Sequence, residues 1–290
     1  MRKPVLIAPA MNTNMYESPA TKQAIQQLSQ WDNITMLDAA SGELACGTSG
    51  KGRMQEIDVL LAAAQYVLTP KTLVGKRVLI TAGPTHEAID PVRYITNAST
   101  GKMGYAIASA CLRRGAQVTL VTGPSQISMK AWEAFAPLTI VPVNSAMDMY
   151  NATLHSFDQS DISILCAAVA DFTPQTQASQ KIKKEKGQTT MTLEMTITKD
   201  IAASLGEIKR KDQKLVGFAL ETHDELSNAQ RKLQTKNLDM IVLNSLQDKG
   251  AGFGTDTNKV TFVYPSGTTK NLPLISQEEV ADEIINIIWI

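Results

Sequence analysis

Six short apolar runs recur between helical segments across the last three quarters of the chain. The runs are Val78–Ala82, Val118–Thr122, Thr139–Val143, Ile162–Ala168, Leu215–Ala219 and Met240–Leu243. Strands that are apolar on both faces and separated by helices are typical of a parallel sheet that is covered on both sides. The pattern therefore predicts an α/β fold with a Rossmann-like, mostly parallel sheet and helices on both faces.

Two segments depart from this alternation. The long polar insertion Gln175–Thr198 ends in an alternating stretch, Met191–Ile197, that is typical of a strand. The runs Lys259–Tyr264 and Thr268–Leu272 flank a Pro-Ser-Gly turn and indicate a β-hairpin. Because long insertions at the carboxyl end of a sheet often act as lids, we expect a lid and a hairpin in addition to the sheet.

The first seventy residues predict a smaller α/β segment. Strands are predicted at Val5–Ala8 and Thr35–Leu37, and helices from Pro19 to Leu28 and from Ile57 to Tyr66. A polar joint, Thr69–Thr72, follows this segment. The chain is therefore predicted to have two domains, residues 1–70 and 71–290.

Charge and composition exclude several classes of protein. The 290 residues include 28 Lys and Arg and 28 Asp and Glu, so no net field favours nucleic acid or a membrane surface. No apolar stretch reaches the roughly 18 residues that a membrane span needs. Three scattered cysteines and three histidines offer no disulfide framework and no metal-ligand spacing. These features predict a reduced, cytoplasmic protein without nucleic-acid or membrane partners.

The stretch Val78–Gly104 combines a strand, glycine turns and the start of a helix. Gly83 follows the strand, and the turn Ser99–Gly104 opens the helix. Glycines let backbone N–H groups approach a ligand, and a helix N-terminus attracts anions. The spacing matches neither a Walker loop nor a dinucleotide fingerprint. The pattern indicates a phosphate site at a strand end, although an ordinary strand–loop–helix connection fits it too.

Three further features could carry chemistry, and each has a structural alternative. Asp171 follows a buried strand, where it could bind a hydroxyl or Mg²⁺ or simply cap the next turn. The lysine run, residues 181–184 (Lys-Ile-Lys-Lys), could close over a triphosphate or be a solvated surface. Phe218 could stack on a base or belong to the core.

Taken together, these segments resemble the phosphopantothenate–cysteine ligases of coenzyme A synthesis. The matching stretches, in family order, are TAGPT (81–85), DPVRYITNASTGKMG (90–104), AAVADF (167–172), KIKK (181–184), GFALET (217–222) and LN (243–244). They extend over almost all of Lys71–Ile290, which is interpreted as the ligase domain. The lysine run and the layout of the chain resemble bacterial members, which implies CTP rather than ATP.

The resemblance implies a reaction in two steps and a set of ligands. The carboxylate of 4′-phosphopantothenate attacks the α-phosphate of CTP, which gives an acyl-cytidylate and pyrophosphate. The amine of cysteine then attacks the acyl carbon and releases CMP. The resemblance also implies Mg²⁺ and a homodimer formed through the ligase domain.

The resemblance assigns roles to individual residues. The nucleotide-binding positions are Gly83, Ser99, Gly101, Gly104, Phe218 and Asn244. The positions that hold phosphopantothenate or its activated form are Asn97, Ala167, Ala168 and Asp171, and Asp171 is also a candidate Mg²⁺ ligand. Arg93 matches a residue that reaches the neighbouring subunit's substrate site. Catalytic roles fall to Asn97, Lys181, Lys183 and Lys184, and residues 175–188 are expected to be poorly ordered without ligand.

The first segment resembles a second family, the flavin-dependent phosphopantothenoylcysteine decarboxylases. The stretches PAMN (9–12) and ACGTSGKGRM (45–54) match late motifs of that family, with Asn12 and Cys46 at positions that hold the substrate carboxylate and protonate the product. No histidine precedes His86, and the strand–loop–helix that the resemblance implies for the flavin phosphate is not found either. Residues 1–70 are therefore interpreted as a partial, flavodoxin-like remnant of a decarboxylase. On this interpretation FMN is expected only for a complete decarboxylase, decarboxylation is absent, and the loop Ser41–Gly52 is mobile.

Two other functions remain open at this point. An NAD(P)-dependent reductase would use a similar sheet, but the tight glycine triplet and the acid that binds a ribose are missing. A nucleotide-binding module without catalysis is the other alternative. CMP release that requires both phosphopantothenate and cysteine would separate the three functions.

Overall fold

The computed structural model describes residues 3–45, 47–221, 223–245 and 254–288, so Cys46 lies outside the described residues. Contacts divide the chain into two compact units. The first comprises Met1–Val74, Leu112–Ala116 and Ser128–Leu138, and the second comprises Gly75–Cys111, Gln117–Ile127 and Thr139–Ile290. The predicted domain boundary after residue 70 stays a prediction.

The first unit has a small parallel sheet with helices. Its elements up to residue 68 are β1 (Val5–Ile7), α1 (Thr13–Glu17), α2 (Pro19–Ser29), β2 (Ile34–Met36), β3 (Ala40–Glu43), β4 (Ser49–Arg53) and α3 (Ile57–Leu68). Strands β1 and β2 pair in parallel. Helix α2 begins as its sequence predicts, because the Ser18 side chain accepts the N–H of Thr21 and Pro19 is the first helical residue.

The glycine-rich stretch that was predicted to be a mobile loop forms a hairpin instead. Strands β3 and β4 pair antiparallel within it. Its glycines allow close packing: a Cβ atom on Gly52 would lie 2.2 Å from the carbonyl oxygen of Met11, and one on Gly50 would lie 2.4 Å from Oγ1 of Thr13. Glycine here therefore lets the hairpin approach the start of α1. The expectation of a loop was wrong about the secondary structure, and the expected mobility stays a prediction.

The rest of the chain supplies a large sheet, its covering helices and short hairpins. The elements are β5 (Arg77–Ala82), β6 (His86–Ala88), β7 (Tyr94–Thr96), α4 (Lys102–Arg113), β8 (Gln117–Thr122), α5 (Lys130–Glu133, in the first unit), β9 (Leu138–Pro142), α6 (Ala146–Phe157), β10 (Ile162–Leu165), β11 (Phe172–Pro174), β12 (Met195–Ile197), α7 (Ile201–Ile208), β13 (Lys214–Glu221), α8 (Glu225–Thr235), β14 (Met240–Ser245), β15 (Thr257–Asn258), β16 (Val260–Val263), β17 (Thr269–Asn271), β18 (Ile275–Ser276) and α9 (Gln277–Ile288).

The central sheet has the strand order β17-β16-β14-β13-β10-β5-β8-β9. Strands β8, β5, β10, β13 and β14 run parallel, and β16 and β17 form an antiparallel hairpin at one edge. The chain moves from β5 to β8 and β9 on one side and then returns to β10 on the other. The order therefore reverses between β5 and β10, which is where open α/β sheets bind ligands. The predicted Rossmann-like sheet is confirmed.

Burial explains why the strands could be predicted. Every residue from Val78 to Ala82 in β5 is buried, so both faces of this strand are covered. One large core cluster includes Leu79 of β5, Phe157 of α6 and Leu215 of β13. The helices pack onto the sheet through such side chains, and the ends of the strands remain free to form a site.

The insertion Gln175–Thr198 contains less regular structure than its sequence indicated. The predicted strand Met191–Ile197 is confined to β12, which pairs antiparallel with β11. Between β11 and β12 the backbone is mostly irregular but is tied to the rest of the unit, since Ala178 N–H donates to the carbonyl of Ile89. The expected ordering of residues 175–188 by ligand stays a prediction.

Candidate functional site

A cleft of about 610 Å³ lies at the carboxyl ends of β5, β10, β13 and β14. Thr81, Leu165, Gly217 and Asn244 contribute to its walls from these four strands. All of its lining residues belong to the second unit. The cleft therefore lies at the reversal of strand order, where neighbouring loops diverge and leave space for a ligand.

The glycine turn before α4 forms one wall of the cleft. Gly101 has φ +83°, a conformation that favours glycine, and Ser99 Oγ accepts its N–H at 3.3 Å. A Cβ atom on Gly101 would lie 3.2 Å from Cα of Gly83, and one on Gly104 would lie 2.5 Å from Cβ of Ala82. Glycine at these positions therefore lets the turn lie directly against the end of β5.

Helix α4 directs its first turn toward the cleft. Lys102, Met103 and Gly104 line the cleft, and the first N–H groups of a helix have no intrahelical acceptor. Such groups, with the positive end of the helix dipole, form an anion site. Gly83 itself does not line the cleft, but its backbone lies directly against Gly101 in the turn. The geometry thus suits a phosphate group at the start of α4.

Asn97 lies at the edge of the cleft in a fixed orientation. Its Nδ2 donates to the carbonyl oxygens of Ala168 and Val169, at 3.1 and 3.0 Å. Two carbonyl acceptors on one side determine which end of the amide is nitrogen. Oδ1 is therefore the atom that Asn97 can offer to a ligand, and it can only accept a hydrogen bond.

The loop after β10 supplies small residues and one carboxylate. Ala167 and Ala168 line the cleft, with their N–H groups bonded to Thr81 Oγ1 and to the carbonyl of Gly83. The exposed Asp171 also lines it, and its backbone carbonyl accepts the N–H of Thr198. Small side chains here allow a ligand to approach the backbone closely.

A metal held by protein ligands alone does not fit this cleft. Within the described ranges, no group of three His, Cys, Asp or Glu side chains could hold a metal ion. Mg²⁺ commonly uses one or two carboxylates together with substrate phosphates and water. Asp171 fits that mode of binding, because it is a carboxylate that lines a cleft with a candidate phosphate site.

Burial raises the pKa of the Cys166 thiol, which lies in the same loop. The thiol therefore stays protonated near neutral pH.

The lining of the cleft also includes three lysines that the sequence reasoning missed. Lys199, Lys232 and Lys236 line the cleft beside the start of α7. Nζ of Lys236 lies 2.8 Å from the carboxylate of Asp200, whose side chain also accepts the N–H of Ala203 as the N-cap of α7. Burial acts to raise the pKa of Asp200, but these hydrogen bonds outweigh burial and lower it. Three lysines and the carboxylate of Asp200 therefore line this part of the cleft, with Lys236 ion-paired to Asp200.

A recognisable signal for these lysines does exist in the sequence. Lys232 and Lys236 are four residues apart, so they lie on one face of α8. Asp200 precedes an apolar helix as an N-cap residue does. Neither signal says that α7 and α8 face the same cleft, because that depends on the strand order.

Polar amides and an aromatic ring complete the lining. Phe218 is half-buried and lines the cleft, so it does not belong wholly to the core. Asn244, Asn258 and Gln277 lie together, with Asn258 Nδ2 3.4 Å from Asn244 Oδ1. A flat ring beside amide groups is suited to a nucleotide base.

The structure brings most of the predicted site residues into this one cleft. Those that line it are Asn97, Ser99, Gly101, Gly104, Ala167, Ala168, Asp171, Phe218 and Asn244. Arg93 and the lysines of the lysine run do not line it. Arg93 instead pairs with Asp90 and donates to the carbonyl of Ile182, inside the lysine run. The roles assigned to Arg93 and to the three lysines stay predictions.

The first unit holds the other predicted positions. Asn12 caps the short helix α1, and its side chain accepts the N–H of Asn14 at 2.9 Å. Oγ1 of Thr13, the next residue, is buried and has no hydrogen-bond partner within the part of the chain that the structure describes. No helix among the described residues is long and apolar enough to span a membrane.

Comparison with known families assigns both parts of the chain. Residues 73–289 match the family described as DNA/pantothenate metabolism flavoprotein C-terminal domain. Residues 1–68 match the family described as Flavoprotein.

Individual relatives match over almost the full chain. The coenzyme A biosynthesis bifunctional protein CoaBC of Bacillus subtilis is 49% identical over 285 residues, which cover 97% of this chain and 68% of that protein. A cysteine/cysteine sulfinic acid decarboxylase of an unknown prokaryotic organism is 47% identical over 98% of this chain and 79% of its own length. The crystal structure of the C-terminal domain of a CoaBC protein aligns with a TM-score of 0.62 and 42% identity, over 76% of this chain and 96% of that domain.

One sequence-based interpretation is corrected by these matches. Residues 1–70 were interpreted as the remnant of a decarboxylase, but residues 1–68 match the Flavoprotein family, and the relatives align through this segment as well. The interpretation depended on two absences, that of a histidine before His86 and that of a strand–loop–helix for the flavin phosphate, and absences are weaker evidence than a match along the whole segment. Two expectations lose their support together with this interpretation: that decarboxylation is absent, and that FMN is expected only for a complete decarboxylase.

Proposed function

Because the chain belongs to the family of DNA/pantothenate metabolism flavoprotein C-terminal domains, we propose that it acts in coenzyme A biosynthesis as a CTP-dependent phosphopantothenate–cysteine ligase. The observation that carries the proposal is the cleft at the strand-order reversal. The cleft is lined by the start of α4, by the loop that contains Ala167 and Ala168, and by Asn97. The names and the 42–49% identities of the CoaBC relatives support the same assignment.

The first step joins the substrate carboxylate to the nucleotide. The carboxylate of 4′-phosphopantothenate attacks the α-phosphate of CTP, a new C–O–P linkage forms, and pyrophosphate leaves. Phosphoryl and nucleotidyl transfers depend mainly on positioning and on neutralising charge. In this cleft, positioning and positive charge come from the first N–H groups of α4 and from Lys199, Lys232 and Lys236. Asp171 would hold Mg²⁺, which neutralises phosphate charge when bound.

The second step forms the amide. The amine of cysteine attacks the acyl carbon, the bond between that carbon and the phosphate oxygen breaks, and CMP leaves with the electron pair of that bond. The nitrogen gives up one proton to solvent as the amide forms. Oδ1 of Asn97 is an acceptor, and we assign it to a donor such as the incoming amine. An acceptor held by two backbone hydrogen bonds orients a nucleophile without changing charge itself.

The test of the proposed function is nucleotide-dependent amide formation by the purified chain. We expect CMP and pyrophosphate only when CTP, 4′-phosphopantothenate and cysteine are all present, and less product with ATP. Mass spectrometry should identify phosphopantothenoylcysteine. Hydride transfer from NADPH without CMP would support the reductase alternative, and tight CTP binding without turnover would support a nucleotide-binding module.

The lysine run is proposed to act in the first step. Replacing Lys181, Lys183 and Lys184 with Gln is expected to slow pyrophosphate release about 10- to 100-fold, because charge-assisted contacts with phosphate are lost. Capture of the acyl-cytidylate by cysteine should change much less. Rapid-quench measurement of both steps checks this, with Lys186→Gln as the control in the same segment. Equal slowing of both steps would contradict the assignment.

We also propose that the second unit forms a homodimer. Val92, Tyr94, Phe172 and Ile197 are 59, 52, 51 and 77% exposed, and they lie on or beside the hairpins β6–β7 and β11–β12. Phe172 and Ile197 also line the cleft, so a second copy on this surface would help to enclose the substrate. Sedimentation should give a dimer that Ile197→Asp weakens, whereas Ile208→Asp, a change to another exposed apolar residue, should leave it intact.

For the first unit we propose a part in binding FMN, since its family is named Flavoprotein. Asn12 and the buried Thr13 hydroxyl without a partner fit this proposal, because a ligand could satisfy such a group. FMN would supply an electron sink for oxidative decarboxylation. Titration with FMN should quench flavin fluorescence, and Thr13→Val, which replaces the hydroxyl by a methyl group of similar size, should weaken binding.

A further inference from the structure

The carboxylate of Asp90 is fully buried and joins two distant segments. Its Oδ1 accepts the backbone N–H groups of Val92 and Arg93, both at 2.9 Å. Its Oδ2 accepts Nε of Arg93 at 3.0 Å and the backbone N–H of Ile182 at 3.1 Å. The Arg93 guanidinium, together with these N–H groups, holds the pKa of Asp90 well below its usual range. Asp90 is therefore a permanent anion at neutral pH.

The same ion pair holds the other side of the Ile182 peptide. Nη2 of Arg93 donates to the carbonyl oxygen of Ile182 at 3.0 Å. Both backbone polar groups of Ile182 are thus bound by the Asp90–Arg93 pair. Since Ile182 is the second residue of the lysine run, this contact fixes the backbone from which the three lysines project.

We infer that Asp90 is a positioning residue for the lysine run, through its hydrogen bond to the Ile182 backbone. This inference rests on the proposed ligase function for its catalytic consequence, but the contact itself can be tested separately. Without the contact, three flexible lysines would have to be ordered anew in each turnover, at an entropic cost. With it, the backbone is held at Ile182, and the exposed lysines have only to move their side chains from this point toward the cleft, which they do not line in this structure.

The test begins with Asp90→Asn, which keeps one acceptor oxygen and replaces the other by an amide. An NH₂ group opposite the Ile182 N–H and the guanidinium would place donors against donors. Limited trypsin digestion after the lysines of the run should become about tenfold faster or more, as local opening becomes easier. The matched control is Asp161→Asn, because Asp161 also accepts the backbone N–H and a guanidinium N–H of one arginine, Arg77, away from the run.

A second variant removes the contact without touching Asp90. Ile182→Pro removes the N–H that Asp90 accepts together with the isoleucine side chain, and Gln180→Pro stiffens the same segment outside the contact. Because trypsin does not cleave a Lys–Pro bond, cleavage is compared after Lys183 and Lys184. We expect Ile182→Pro to accelerate this cleavage as Asp90→Asn does, and Gln180→Pro to have little effect. Thermal unfolding should show all four variants folded. Unchanged cleavage in folded Asp90→Asn and Ile182→Pro, or equal acceleration in the controls, would overturn the inference.

The catalytic consequence is tested by non-additivity. Asp90→Asn should slow pyrophosphate release about 10- to 100-fold and leave the KM for cysteine unchanged. In a chain whose three lysines are already Gln, Asp90→Asn should add little, because Asp90 acts through them. Fully additive effects would overturn the positioning role. If the unmodified chain forms no CMP, the ligase proposal fails. The trypsin result alone then tests whether Asp90 holds the lysine run in place.

Discussion

Replacing Gly101 with Val is expected to reduce CTP affinity by about 10²-fold or more while the second unit remains folded. Gly101 has φ +83°, and a Cβ atom there would lie 3.2 Å from both Cα and N of Gly83. The side chain must therefore push the turn away from β5 and displace the start of α4. Backbone N–H groups that bind phosphate cannot be replaced by another side chain, so the loss should be large.

Gly75 provides a matched control for this experiment. It has φ +78°, and a Cβ atom on it would meet nothing within 4 Å. Gly75→Val therefore introduces the same backbone strain, roughly 1–2 kcal/mol, without a collision. Calorimetric titration with CTP should show near-normal affinity for Gly75→Val and a large loss for Gly101→Val. Equal CTP affinity in the two folded variants would show that the turn does not bind the nucleotide.

The strands could be predicted because a strand that is buried on both faces has a short, nearly continuous run of apolar residues. Val78–Ala82 is apolar except for Thr81 and is buried throughout, as is typical of a covered parallel strand. The hairpin β3–β4 was missed for the opposite reason. Gly50 and Gly52 serve close packing against Thr13 and Met11, and glycine in a sequence does not distinguish packing from mobility.

The cleft lining was predictable where small or polar residues stand in the loops between strands and helices. Asn97 follows β7, Gly101 precedes α4 and Asp171 lies in the loop after β10, and all three line the cleft. Lys232 and Lys236 were missed because they come from the last turn and the end of α8, and only the strand order brings that helix to the cleft. Asp90 was missed because its partner Ile182 is 92 residues away and is bound through its backbone, which no side-chain pattern records.

Replacing Asn97 with Ala is expected to slow CMP release about 10²- to 10³-fold, by analogy with the loss of one polar group that acts on a reacting centre. Asn97 contacts the loop after β10 and offers Oδ1 to the cleft, whereas the candidate phosphate site lies at the start of α4. CTP binding and pyrophosphate release should therefore be nearly normal. The acyl-cytidylate should accumulate, because the step that needs the oriented amine is slowed.

Rapid-quench analysis with labelled CTP separates these steps. The control is Asn33→Ala, since Asn33 also donates from Nδ2 to a backbone carbonyl, that of Lys3, but lies in the first unit. Asn97→Asp adds a sharper test: a carboxylate keeps an acceptor but cannot donate to the carbonyls of Ala168 and Val169, so its orientation should be lost. Both variants at Asn97 should then fail at the second step. Loss of CTP binding with normal turnover at saturation would instead place Asn97 in nucleotide capture, because an acceptor for the incoming amine has no reason to affect the first step.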